Sequence, residues 1–163
     1  MQTRMSRVEL RDVVESDLPT FFSQQLDREA NQMAAFTAKD PADRAAFFEH
    51  WSRILSDSTN TVQTVLFDSR VAGHVACYTD KEFGRLEVTY WIGKEFWGQG
   101  VATEALSRFL NIVKVRPIFA RAAKDNLASI RVLQKCRFVQ VGEGKGFANA
   151  RGRETEEYVM RLG

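Results

Sequence analysis

The residues best able to do chemistry in this chain surround a glycine-punctuated turn, Trp97-Gly98-Gln99-Gly100-Val101-Ala102-Thr103. A β-rich run, residues 85–92, leads into it. A helical pattern leaves it, with Ala102, Ala105, Leu106, Phe109, Leu110 and Val113 recurring at helical spacing. Backbone N–H groups at a helix start lack acceptors within the helix, and the aligned peptide dipoles favour an anion there. Glycines at 98 and 100 and the small Ala102 let a phosphate approach the backbone closely. The same residues also read as a helix entered simply through glycine, its small side chains packing on a sheet. Two familiar phosphate binders fail on their residues. No Lys-Ser/Thr follows the turn, which disfavours a magnesium nucleotide. Thr103 stands where a dinucleotide fingerprint needs its third glycine. The phosphates therefore belong to another ligand.

Charge points the same way. From Lys114 to Arg137 seven bases (Lys114, Arg116, Arg121, Lys124, Arg131, Lys135, Arg137) stand against one acid, Asp125, a local +6 in a chain of net +2. Such a face attracts a polyanion, although each base read alone is an ordinary solvated residue. Cys77 and Cys136 have no neighbour in sequence that would activate a thiol. They share no metal-type spacing with His50 and His74, so no metal site is read and both histidines are taken as structural.

The elements that must position these groups follow from length and pattern. With 163 residues, 44% of them hydrophobic and twelve of them Phe, the chain suits one domain, residues 1–163. Twenty-three Lys and Arg against 21 Asp and Glu disfavour a nucleic-acid binder. Free, widely spaced cysteines suit a reducing cytoplasm. No apolar run nears the ~20 residues that span a bilayer, and Met1-Gln2-Thr3-Arg4 is not followed by a leader core.

Val8–Val13 alternates as a strand. Ser16 offers an N-cap for a helix carrying Leu18, Phe21, Phe22 and Leu26. A second helix is expected to start at Asp40-Pro41. Residues 61–67 and 71–78, parted by Asp68-Ser69-Arg70, read as a hairpin. Along 85–92, Glu87, Thr89 and Trp91 share one face and Leu86, Val88, Tyr90 and Ile92 the other. A strand (118–122), a helix (126–135) and two strands near 138–141 and 156–161 complete the pattern. The class is α/β (α+β): a mixed, mostly antiparallel central sheet flanked by helices.

Two segments carry a family resemblance: Tyr90-Trp91-Ile92 with Trp97-Gly98-Gln99-Gly100-Val101-Ala102-Thr103-Glu104-Ala105-Leu106, and Asn126-Leu127-Ala128-Ser129-Ile130-Arg131-Val132-Leu133-Gln134-Lys135-Cys136-Arg137-Phe138. In this order the chain resembles the GNAT acyltransferase superfamily, in the branch that includes ribosomal-protein N-terminal acetyltransferases. The resemblance implies the GNAT fold and acetyl-CoA as cosubstrate, its pyrophosphate on the amides of Gln99 to Thr103. The pantetheine would lie along Tyr90, Trp91 and Ile92, with Asn126 in contact with it and Ser129 beside the sulfur. Trp97 replaces the Arg or Gln of many members, and Arg137 replaces a usual Gly.

The implied reaction is direct attack by a primary amine on the thioester. Glu87 would then be the base, directly or through water, and Ser129 the donor to the thiolate. Read alone, Glu87 is equally a carboxylate on a strand's wet face, and Ser129 a small residue inside a helix. A Tyr that many members carry is Leu133 here, leaving Tyr78, Tyr90 and Tyr158 as substitutes. A main-chain N–H near Ile92 would polarise the carbonyl. Phe21, Phe36, Trp51 and Tyr78 are candidates to line the acceptor pocket, and the acceptor is a protein N-terminus or a small amine. Small domains of this family often form homodimers. The rival readings are a CoA-binding sensor without catalysis and a nucleotide-dependent oxidoreductase.

Overall fold

A computed structural model describes residues 7–163; Met1 to Arg4, read above for a leader, lie outside the described residues. Seven strands form one sheet: β1 (Val8–Asp12), β2 (Thr61–Phe67), β3 (Arg70–Asp80), β4 (Arg85–Ile92), β5 (Ile118–Ala123), β6 (Val139–Ala148) and β7 (Arg153–Leu162). Their order is β1-β2-β3-β4-β5-β7-β6. Every neighbouring pair is antiparallel except β4 and β5, which run parallel and share a single paired position, Glu87 opposite Phe119. The β2–β3 hairpin turns on Asp68 and Ser69, both at positive φ, as the twist of a tight two-residue hairpin demands.

Five helices accompany the sheet: α1 (Leu18–Gln25), α2 (Arg28–Ala34), α3 (Arg44–Ser56), α4 (Val101–Ile112) and α5 (Leu127–Lys135). Adjacent residues of β3 point to opposite faces, and they mark the two layers. Val75 joins the core shared with α4 and α5, where Ala105, Leu106, Phe109 and Leu133 are at most 1% exposed. His74 turns the other way, its ring centroid 4.8 Å from those of Phe21 on α1 and Trp51 on α3. Burial there drives its pKa down to about 4, so it is a neutral core residue. A small third cluster, Ala35, Ala123 and Ala148, packs the end of α2 onto β5 and β6.

The structure corrects several boundaries. Ser16 lies inside a 3-10 turn, Glu15–Asp17, and caps nothing there; the Asp17 carboxylate is instead buried against Arg11, Val14 N and Thr64. The helix expected from Asp40-Pro41 starts at Arg44, capped by Asp43, whose carboxylate accepts from Ala46 N at 3.0 Å. Helix α2 was not anticipated; Asp27 caps it at 2.8 Å. Strands β6 and β7 run well beyond their apolar residues because each satisfies the other's backbone along the whole hairpin.

Arg137 ends α5 in the left-handed region, φ +73, where the family pattern has glycine. The turn forms all the same: Phe138 N reaches back to Leu133 O at 3.0 Å, a Schellman closure. A β-carbon held there costs about 1–2 kcal/mol. Arg137→Gly is therefore expected to raise unfolding free energy by about 1 kcal/mol in urea titration, with no change in denaturant slope.

Candidate active site

Because β4 and β5 pair at one position and then part, two cavities open on either side of the gap. The first, about 440 Å³, lies under the start of α4. The second, about 520 Å³, faces β5 and β6. Ala34, Tyr90, Trp91, Asn126 and Ser129 line both, so they form the seam where the contents of the two would meet.

The first cavity is built to take an anion. Gly98 (φ +77) and Gly100 (φ +74) turn the chain sharply into α4, a conformation glycine adopts without a β-carbon clash. No side chain caps the helix. Its first internal backbone bond comes from Glu104 N to Gly100 O, which leaves the Val101, Ala102 and Thr103 amides without a helical acceptor. All three residues line the cavity with Trp97, Gly98 and Gly100, while Gln99 is exposed and does not. Arg131 and Lys135, one turn apart on α5, complete the positive lining.

That corrects the reading of the basic tract. Arg116 is spent on the carbonyls of Leu110, Val113 and Val115, Lys124 on Glu143 and Glu156, and Arg121 on the second cavity. Trp97 has a plain structural use: its indole Nε1 donates to Ile92 O at 2.8 Å, tying the turn to the end of β4. A close approach fixes the same strand end from the other side, since a β-carbon at Gly73 would lie 1.9 Å from Trp91 O.

At the seam, Asn126 Oδ1 accepts from Ser129 N at 3.2 Å and so caps α5. The Ser129 hydroxyl lies 2.7 Å from the Tyr90 hydroxyl. Burial pushes the Tyr90 phenol up to about 12, against the pull of its bond to Ser129. Of the three tyrosines left open by Leu133, Tyr90 alone reaches Ser129. Tyr78 lines the second cavity, and Tyr158 carries Lys124 over its ring at 5.3 Å.

The second cavity carries opposing charges. Glu87 is 2% exposed, not on a wet strand face. Its Oε1 accepts from Arg121 Nε at 2.8 Å, and its Oε2 has no hydrogen-bond partner. Arg121 also lies 3.5 Å from both Asp80 and Glu157. Burial pushes the Glu87 carboxyl above its ordinary range and neighbouring Asp80 adds to that, while Arg121 pulls it back. Of the four aromatic residues considered for an acceptor pocket, Phe36 and Tyr78 line this cavity; Phe21 and Trp51 do not, being spent on the His74 cluster.

Among the described residues, no group of three or more His, Cys, Asp or Glu could hold a metal ion, and no helix is long and apolar enough to cross a membrane. Cys77 is buried and Cys136 half-buried, and both are free thiols.

Known proteins share parts of this sequence and its fold. The uncharacterized N-acetyltransferase p20 of Bacillus licheniformis is 30% identical over 87 residues, 51% of this chain and 49% of that protein. The putative ribosomal N-acetyltransferase YdaF of Bacillus subtilis is 24% identical over 119 residues, 68% of this chain and 65% of its own. This chain thus matches about half the length of the first relative and somewhat more of the second. The crystal structure of spermidine N-acetyltransferase from Vibrio cholerae, in complex with CoA and spermine, has the same fold: TM-score 0.80 at 18% identity, covering 96% of this chain and 95% of that one. The model of the acetyltransferase (GNAT) domain matches residues 7–139. A GNAT sheet parted at β4 and β5, a glycine-entered α4 and a family match over most of the chain lead to one conclusion: this chain belongs to the GNAT acetyltransferase family.

Proposed function

We propose that this chain transfers an acetyl group from acetyl-coenzyme A to a primary amine. One observation carries the reading: an anion-cradling cavity and a carboxylate-lined cavity meet at a seam that holds two hydroxyls. The cradle fits the cosubstrate, because the α4 amides are uncapped and the space beside Gly100 is open, with nothing within 4 Å of a β-carbon built there. When bound, acetyl-coenzyme A supplies a thioester already activated for acyl transfer.

The chain's own residues do the rest. The amides of Val101, Ala102 and Thr103 hold the pyrophosphate, with Arg131 and Lys135 supporting its charge. Tyr90, Trp91, Asn126 and Ser129 orient the pantetheine end at the seam, and Ser129 donates a hydrogen bond to the sulfur as charge develops there. The lining of the second cavity sets Glu82, Glu87 and Glu157 against Arg121 and Lys145, and the net negative charge favours an ammonium ion over a neutral ligand. Glu87 Oε2 has a free lone pair and takes the proton that the amine must lose, directly or through one water. Arg121 keeps that carboxyl oriented.

Relatives support the reaction and divide on the acceptor. By their names one acts on a ribosomal substrate and another on spermidine. Acetyl-CoA turnover measured against a panel of free-N-terminus peptides, polyamines and simple amines identifies the acceptor here. Glu87→Gln should lower kcat by roughly 10²-fold with the accepted amine and leave CoA affinity unchanged. The wild-type rate should fall as pH drops through the raised Glu87 pKa, because the base works only when ionised. The variant should lack that acidic limb, and its deficit should shrink at high pH, where free amine is present. No turnover of any amine by the wild type would overturn the reaction; a wild-type pH profile in the variant would remove Glu87 from it.

The cradle has its own test. Gly100 is left-handed, and Asn and Asp tolerate that conformation better than other residues. Gly100→Asp and Gly100→Asn should therefore fold alike. By calorimetry, Asp should weaken CoA binding roughly tenfold more than Asn, because only its charge opposes the phosphates at the helix start. Equal affinities in the two variants would contradict the cradle.

A further inference from the structure

The geometry points to Tyr90 as a positioning residue: its hydroxyl donates to Ser129 Oγ and leaves the serine proton as the donor aimed at the sulfur. The inference rests on the acetyl-CoA reading and extends it to a residue on the same strand as Glu87, three positions further along β4.

A hydroxyl has one proton and two lone pairs. At 2.7 Å, one of the two protons in the Tyr90–Ser129 pair is shared between the oxygens. If Ser129 were the donor, the phenol proton would have to find another acceptor, and Ser129 O lies at 3.4 Å, too long for a strong O–H bond. If Tyr90 is the donor, the phenol is satisfied by a short bond and the serine proton can turn toward the cavities. A developing negative charge on sulfur selects the second arrangement, because it needs a donor and not a lone pair. The serine is held in place at its backbone by the Asn126 cap, and the Tyr90 ring packs against the main core. The pair is thus fixed at both ends before a ligand arrives.

The chain of two hydroxyls donates hydrogen bonds and keeps its protons. A phenol held up to about 12 does not release a proton to a thiolate whose ordinary pKa is about 8.5. When the carbon–sulfur bond breaks, its electron pair stays on sulfur, both hydroxyl protons stay on their oxygens, and sulfur later takes a proton from water. Each bond in such a chain polarises the next, so losing the phenol weakens the serine as a donor even with serine present.

The test is the ionisation of the CoA thiol on the protein, read by its ultraviolet thiolate absorbance across pH at saturating CoA. The same titration without CoA subtracts the chain's own Cys136, which neighbours Tyr90, and Cys77. Arg131 and Lys135 face the same cavity, and Glu87 and Arg121 face the adjoining one; all four are common to every variant. Wild-type protein should bind CoA with its thiol more ionised than free CoA. Tyr90→Phe should reduce that ionisation roughly tenfold, the weight of one hydrogen bond to a charged group. Ser129→Ala should do the same, and the double variant should lose no more than either. The far-ultraviolet circular dichroism and cooperative thermal melting of all four proteins should match, which shows that the seam still folds. A Tyr90→Phe titration matching wild type, or losses that add in the double variant, would overturn the proposal. Failure of the wild type to bind CoA would instead strike the underlying reading of the cradle.

Discussion

Everything in the site depends on the parting of β4 and β5. A sheet gains from pairing every backbone group, and the other five junctions of this sheet do so over several residues. Here two parallel strands meet only at Glu87 and Phe119 and then diverge. The backbone groups beyond that point face cavities instead of a neighbouring strand, and those cavities are where a ligand can be held from both sides. The divergence is fixed independently on each strand. β4 is held by β3, with Gly73 allowing close approach at Trp91, and its end is tied down by Trp97; β5 is held by β7 along its whole length.

The gap also explains why ionised groups are tolerated inside this fold. Asp80, Glu87 and Glu157 would be costly to bury alone, since desolvation penalises each charge. Arg121 reaches all three, and Arg85 lies 3.8 Å from Glu87. Three carboxylates against two guanidiniums leave the cluster short of one positive charge, and Glu87 keeps one oxygen without a donor. In the proposed reaction an ammonium acceptor would supply both the charge and the hydrogen. On the other side of the seam the sign reverses, with helix amides, Arg131 and Lys135 toward the anion. In the proposed reaction the two cavities take oppositely charged reactants, and the uncharged seam residues Ala34, Tyr90, Trp91, Asn126 and Ser129 stand between them.

Local features carried the part of this that was legible in the sequence. The 3.6-residue period of α4, the alternation of β4 and the glycines before Val101 are all properties of neighbouring residues, and each element lies where its pattern indicates. Long-range partners were not legible. Glu87 sits on a strand face that reads as wet, and it is buried because β5 brings Arg121 beside it from 34 residues away. Phe21 and Trp51 have the composition of a pocket, yet pack around His74. Tyr90 was legible as a residue beside the pantetheine and as one substitute for the missing tyrosine at Leu133, but its bond to Ser129 was not, because that partner is on α5. Helix α2 is seven residues long, too short for a periodic pattern, and is held by the Asp27 cap and contacts at its far end.

The most direct test of this account is amide hydrogen exchange with and without CoA, resolved to single residues. The amides of Val101, Ala102 and Thr103 have no acceptor within α4, so a bound pyrophosphate should slow their exchange more than any others outside the seam. Protection should extend to the first turn of α5 around Ser129, while β1 and β2, on the far edge of the sheet, should be unchanged. Protection centred on β1 and β2, with Val101 to Thr103 exchanging as in the free protein, would contradict the assignment of the parted strands as the place where the cosubstrate binds.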